Sequence, residues 1–159
     1  MFIDRTALHF LESRISDTKA LLILGPRQTG KSTLLKEIAR RTEGKQLFLN
    51  CDEAIIREAL QSVRSVAEIR LLLGNANLVL IDEAQRVRDI GIVLKLITDN
   101  FPGIKLIVSG SSAFELSNIV NEPLTGRKWE HLLLPFSTQE MVAHTHFLQE
   151  KSQLHNRLI

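Results

Sequence analysis

Two glycines five positions apart, Gly25 and Gly30, are followed directly by Lys31 and Ser32 in the run GPRQTGKST. The spacing fits G-x-x-x-x-G-K-[ST], a loop whose backbone N–H groups surround phosphate oxygens. Glycine at both ends admits positive φ and lets the main chain approach an anion without a Cβ in the way. The intervening Pro26, Arg27, Gln28 and Thr29, together with Thr33, complete the cradle. An ammonium such as that of Lys31 about 4 Å from a phosphate charge is worth roughly 4 kcal/mol at an effective dielectric of 20. A helix dipole contributes up to about 2 kcal/mol, so Lys31 is expected to dominate this part of the affinity. The Ser32 hydroxyl is of the type that holds Mg²⁺ between phosphates.

A second pair of chemical groups closes the run LVLIDEAQR, where Asp82 and Glu83 leave an apolar segment at its C-terminal edge. Ligands of open α/β sheets bind at that edge. Asp82 suits Mg²⁺, directly or through its water, and Glu83 suits polarisation of an attacking water. The plainer alternative for the two acids is a turn or a helix cap, and for Gln85 and Arg86 a solvated loop. A later run ends in SGSS, Ser109 to Ser112. Ser109, ahead of Ser111, is the candidate to position the water or touch a terminal phosphate, and Ser112 is assigned to a helix cap.

Positioning these groups requires strands that end where the motifs begin. Five short apolar runs qualify: ALLILG from Ala20, QLFLNC from Gln46, NLVLID from Asn77, IKLIVSG from Ile104 and EHLLLPF from Glu130. Runs of this length without strict alternation suit strands buried on both faces. Helical spacing follows at Leu34, Leu35, Ile38 and Ala39, and again at Ile90, Val93, Leu94 and Ile97 before Phe101-Pro102-Gly103. Ser65 with Glu68, Ser112 with Glu115, and Ser137 with Glu140 each fit a capping box. Strands alternating with helices predict an α/β fold, a parallel sheet covered on both faces.

The 159 residues, 44% of them hydrophobic, are sufficient for one core and predict a single domain over 1–159. A formal charge of +2 creates no field that points to nucleic acid or an anionic membrane. The start MFIDRTALHF lacks the basic-then-apolar order of a signal peptide, and no apolar run nears the ~20 residues that span a bilayer. A cytoplasmic location without membrane contact is the default expectation. Cys51 alone excludes an intramolecular disulfide and reads as a small apolar residue at a strand end. His144 and His146 diverge by about 200° on a helix and make a poor metal pair. Trp129 among Arg127, Lys128 and His131 reads as strand edging ahead of a nucleic-acid contact.

The segments GPRQTGKSTLL, LVLIDEAQR, IVSGSSAFEL and LTGRKWEHLLLPFSTQE, in this order, resemble the AAA-type ATPase domain at the N-terminus of many prokaryotic ATP-binding proteins. The resemblance runs from about Arg5 to Glu140. It implies a three-layer P-loop NTPase fold with a parallel five-stranded sheet in the order 5-1-4-3-2, and a chain that is the N-terminal part of a longer protein. It implies Lys31 and Ser32 as phosphate and Mg²⁺ ligands, Asp82 as the acid on the Mg²⁺ side, and Glu83 as the hydrolytic base. Insertion of the IKLIVSG strand beside the cradle strand would bring Ser109 to phosphate and water. Arg127 matches a basic position of the family pattern, either reaching a γ-phosphate or forming a surface ion pair. Phe2, Ile3, Arg5 and Arg27 are possible nucleotide neighbours in the same pattern.

The expected function is Mg²⁺-dependent binding and hydrolysis of ATP to ADP coupled to a conformational switch, with an unidentified protein partner or a further C-terminal domain. Competing readings are a nucleotide-gated binding module without catalysis, a small-molecule kinase, and a fragment of a nucleic-acid-dependent motor. The kinase needs an acceptor pocket and a basic lid that the residues do not identify. The motor needs two domains to grip a strand. Base preference and oligomeric state are not encoded in any spacing of these residues.

Overall fold

The computed structural model describes residues 5–111 and 121–144. Phe2, Ile3, the Ser112–Glu115 box and His146 lie outside them. In chain order the elements are α1 (Thr6–Ser13), β1 (Ala20–Leu24), α2 (Lys31–Arg41), β2 (Gln46–Asn50), α3 (Ala54–Ser62) and α4 (Val66–Leu73). There follow β3 (Leu78–Asp82), a 3₁₀ turn (Ala84–Arg86), α5 (Ile90–Asn100), β4 (Lys105–Gly110), β5 (Lys128–Leu132) and α6 (Thr138–His144).

All strand pairings are parallel, in the order β2-β3-β4-β1-β5. Read from the other edge, this is the expected 5-1-4-3-2. Strand side chains alternate between faces, and the core divides accordingly. Leu22, Leu24, Val79, Ile81, Leu106 and Val108 pack on one face with residues of α3, α4 and α5. Leu21, Ile23, Leu78, Leu80 and Ile107 pack on the other with α1 and α2. The result is three layers. β1 and β3 are buried along their whole length, as their apolar runs predict.

The outer strands depart from that expectation. β2 and β5 stand at the sheet edges and are partly exposed. The fifth strand also begins at Lys128 and ends at Leu132, earlier than the apolar run from Glu130 to Phe136 suggests. β5 pairs with β1 alone, from Ala20 beside Lys128 to Leu24 beside Leu132. One further bond, from Leu133 N to Leu24 O at 2.7 Å, exhausts the partner strand. Pro135, lacking an N–H, could not have extended the ladder.

Two of the capping boxes form. Ser65 caps α4 with Glu68 reciprocating. At α6, Glu140 Oε2 accepts from Ser137 N at 2.8 Å while Glu140 N donates to Ser137 Oγ at 3.2 Å. Its second oxygen, Oε1, accepts from Thr6 N at 3.0 Å and Thr6 Oγ1 at 3.1 Å. A single carboxylate therefore satisfies orphan donors at the starts of α1 and α6, where negative charge is favoured.

Arg5 completes this junction. Its Nη1 donates to Thr29 O at 3.2 Å and its Nη2 to Leu134 O. Nε lies 3.2 Å from Glu140 Oε1, an ion pair outside hydrogen-bond alignment. The guanidinium also stands 4.1 Å over the Phe136 ring. Both partners of the pair are about 95% buried. Burial raises the Glu140 pKa, but the donors from Ser137, Thr6 and Arg5 outweigh it and hold the carboxyl below its ordinary 4.5. Arg5→Ala leaves that carboxylate buried and uncompensated, a change that costs about 3–5 kcal/mol in such pairs. Urea unfolding is expected to register this loss near neutral pH, and a loss under about 1 kcal/mol contradicts the junction's role. The contribution of Glu140 is complete above pH 4.5 and disappears as pH falls through the lowered folded value.

Candidate functional site

The parallel register delivers the motif residues to one edge. Leu24 pairs with Gly110, and Ile81 with Val108, so the cradle, the acids and the SGSS segment leave neighbouring strands side by side. A cavity of about 300 Å³ opens there, lined by Gln28, Gly30, Lys31, Ser32, Thr33 and Glu83. A larger one of about 560 Å³ lies between α3 and α5, lined by Leu60, Val63, Val93 and Leu96 with Arg64 and Arg88. It contains none of the motif residues.

The glycines of the loop have different reasons. Gly25 has φ 154°, and a Cβ on it would stand 2.3 Å from Leu133 O. The close approach of Leu133, directly after β5, by itself demands glycine there. Gly30 caps α2 in the left-handed region, φ 88° and ψ 21°, and its Cβ would meet no atom within 4 Å. That direction is open space on the wall of the cavity. Gln28 also has positive φ, 64°, a strained conformation for a residue with a side chain. Thr29 Oγ1 donates to Pro26 O at 3.0 Å and closes the loop on itself. Pro26 and Arg27 are exposed.

Lys31 is 4% exposed. Its ammonium donates to Gly25 O at 3.0 Å and Pro26 O at 2.5 Å, which uses two of its three donors. Burial lowers its pKa while the charges of Glu83 and Asp82 pull it back up. The lysine and both acids therefore share one electrostatic site. Leu34 N bonds Gly30 O at 2.9 Å as the first turn of α2 closes, so the amides just before it have no intrahelical partner. Such a terminus attracts anions.

Asp82 ends β3 on the same face as Leu80, toward α2. Its Oδ1 accepts from Ser109 Oγ and from Glu83 N at 3.1 Å. Ser109 is fully buried, and its Oγ also lies 3.3 Å from Glu83 N as an acceptor. Like Asp82, Ser109 is not among the residues that line the cavity, and its hydroxyl anchors that acid. Glu83 turns away from the strand in the left-handed region, φ 56° and ψ 40°. This turn separates its side chain from that of Asp82 and brings it into the cavity lining.

Arg127 is not among the residues that line the cavity either. It precedes Lys128, which pairs with Ala20 at the start of β1, about 15 Å of strand from the cradle edge. There it pairs with Asp99 at 2.5 Å, the surface alternative. Arg5, expected near a nucleotide, spends its donors on the junction described above. Trp129 Nε1 donates to Asp17 Oδ2 at 2.9 Å and the indole lies under Arg14 and Lys19, at 4.4 and 4.6 Å, so it serves the fold. Cys51 is buried, its thiol pushed up to about 12 by desolvation first and then by Asp82. Gln85, whose plainer sequence reading is a solvated loop residue, instead joins Glu83 to Ser111 through its side chain. Its position two residues beyond Glu83 was the available signal. Among the described residues no cluster of three His, Cys, Asp or Glu forms a metal site, and no helix is long and apolar enough to cross a membrane.

A profile of the AAA domain matches residues 17–142. Uncharacterized proteins of Mycobacterium tuberculosis and Mycobacterium bovis are each 28% identical over 130 residues. The match takes in 80% of this chain and 28% of those relatives' length. Among solved structures, a Walker-type ATPase of Pyrococcus abyssi superposes with a TM-score of 0.70 at 23% identity, covering 98% of this chain and 59% of that one. The origin recognition complex (ORC) of Drosophila bound to DNA gives 0.58 at 14%, over 87% of this chain and 94% of that one. The RuvB Holliday junction branch migration motor of Thermotoga maritima gives 0.57 at 17%, over 98% and 52%. At these identities the likeness is one of fold, that of a P-loop NTPase.

The two glycines are separable by experiment. Gly25→Ala is expected to cost about 1–3 kcal/mol of folding stability, the usual penalty of overpacking, because the obstructing atom is backbone. Gly30→Ala carries only the strain of its positive φ, about 1–3 kcal/mol at most, and obstructs the cavity. Denaturant curves for both, with phosphate-analogue binding for Gly30→Ala, check this. Equal stability of Gly25→Ala and the parent contradicts the Leu133 contact.

Proposed function

Because the chain belongs to the AAA domain family, we propose that it binds ATP with Mg²⁺ and hydrolyses it to ADP, the cycle switching the conformation of the cradle edge. The observation that carries this reading is the shared cavity: Glu83 lines it together with Gly30, Lys31 and Ser32. A binding module needs no acid there.

The residues fit a metal-bound triphosphate. A hydroxyl on Ser32 and a carboxylate on Asp82 form the hard oxygen donor set that Mg²⁺ takes. When bound, Mg²⁺ neutralises charge on the phosphates and orients them. Lys31 binds phosphate by exchanging the carbonyls of Gly25 and Pro26 for phosphate oxygens, while the amides at the start of α2 hold the remaining ones. Ser109 and the main chain at Glu83 keep Asp82 in one orientation. Glu83 accepts a proton from the attacking water, which is general-base work.

Arg127, paired with Asp99 at the other end of the strand, is not assigned to the γ-phosphate. Two of the structural relatives are named for work on DNA. The reading of this chain as part of a nucleic-acid motor rests on that likeness, because Trp129 and its basic neighbours are engaged internally. The greater length of the relatives supports a further domain or protein partner as the receiver of the switch.

Lys31→Ala is expected to abolish detectable ATP and ADP binding in calorimetry, performed with and without Mg²⁺ and with GTP for comparison. Glu83→Gln is expected to retain nucleotide binding and slow multiple-turnover phosphate release by about 10²–10⁴. Release at the parent rate from Glu83→Gln refutes the base assignment. A phosphorylated acceptor in place of free phosphate points to the kinase.

A further inference from the structure

Glu83 is held from behind. Gln85 Nε2 donates to Glu83 Oε2 at 2.6 Å and to Ser111 Oγ at 2.5 Å. Gln85 Oε1 accepts from Ser111 N at 3.1 Å. A backbone N–H can only donate, so this last bond decides which end of the amide is oxygen and turns the NH₂ toward Glu83. Both ends of the glutamine are therefore occupied, one by the acid and one by the residue that leaves β4.

The support of Gln85 is rigid. Arg86 N bonds Glu83 O at 3.0 Å and Val87 N bonds Ala84 O at 3.0 Å, closing the 3₁₀ turn. Ala84 and Val87 are buried in the core. Arg86 pairs with Asp52 at 2.5 Å and fastens the turn to the loop after β2. Glu83, at the head of this turn in a left-handed conformation, has a long side chain that the turn alone does not orient.

We propose that Gln85 is a positioning residue for the hydrolysis assigned above: it holds Glu83 by Oε2, leaves Oε1 to the cavity, and couples that orientation to Ser111 at the end of β4. The proposal rests on Glu83 acting as the base. A movement of the β4 end in either direction then changes the aim of the carboxylate without altering the phosphate cradle. Misplacement of a reacting group by 1 Å can cost about 10² in rate, and substrate binding, which depends on Lys31 and the loop, is untouched.

Steady-state phosphate release and ADP calorimetry on the full chain test this. Gln85→Ala is expected to lower kcat about 10- to 100-fold with KM for ATP and Kd for ADP unchanged. Ser111→Ala keeps the N–H bond to Gln85 and is expected to lower kcat less. In a Glu83→Gln background, Gln85→Ala should cause no additional loss, since a residue acting through another has nothing left to act on. A purely structural role would instead raise KM and lower stability in both backgrounds. Should Gln85→Ala fail to fold, Gln85→Met, similar in length but uncharged and without the amide donors, carries the same comparison. Parental kcat in Gln85→Ala, or an equal loss in the Glu83→Gln background, overturns the role of Gln85 while leaving the ATPase reading intact. Parental turnover in Glu83→Gln, or none in the parent chain, overturns the ATPase reading and this role with it.

Discussion

Every functional group in this chain depends on one constraint, the parallel register that sets β4 between β1 and β3. Parallel strands end at a common edge, and here Leu24 lies beside Gly110 while Ile81 lies beside Val108. The loop after β1, the acids after β3 and the serines at the end of β4 emerge within reach of one another for that reason. A shift of one residue in the β3–β4 register would send Asp82 and Ser109 to opposite faces and break the bond between them. Both faces are filled with Leu, Ile and Val, and such a shift would exchange the side chains packed against the two helical layers and lose their fit.

The edge so formed concentrates charge. Lys31 is buried near two carboxylates and its ammonium is oriented by the carbonyls of Gly25 and Pro26. The positive group and the helix terminus favour an anion, and the acids favour a cation between them and that anion. Neighbouring tethers keep the geometry from relaxing: Ser109 on Asp82, Gln85 on Glu83, and Arg5 on the carbonyl of Thr29. The last of these connects the loop to α6 through Glu140, so the site and the C-terminal end of the described chain share one buried ion pair.

Several interactions were beyond the reach of sequence reasoning for a common physical cause, namely that one residue type serves unrelated purposes. Glycine at position 25 looks the same whether a phosphate or the Leu133 carbonyl needs the space. Arg127 sits in a motif-like context, yet the strand places it at the opposite edge, against Asp99. Gln85 reads as a loop residue until β4 is put beside it. Ser109 and Ser111 have similar side chains two positions apart, and the bonds that Asp82 and Gln85 make decide which serves which acid.

Much was nonetheless legible from local pattern. The spacing of Gly25, Gly30, Lys31 and Ser32, the apolar run into Asp82 and Glu83, and the capping boxes at Ser65 and Ser137 are features of short segments, where geometry follows from a few neighbouring dihedrals and side chains. These determined the α/β class, the loop before α2 and the identity of the acids. Strand order also followed once the family resemblance was admitted. What only the tertiary structure decided is which distant groups meet: Arg5 with Thr29 and Glu140, Gly25 with Leu133, Gln85 with Ser111. Such contacts join residues far apart in the chain, and their partners are selected by the packing of the whole sheet and not by any spacing along it.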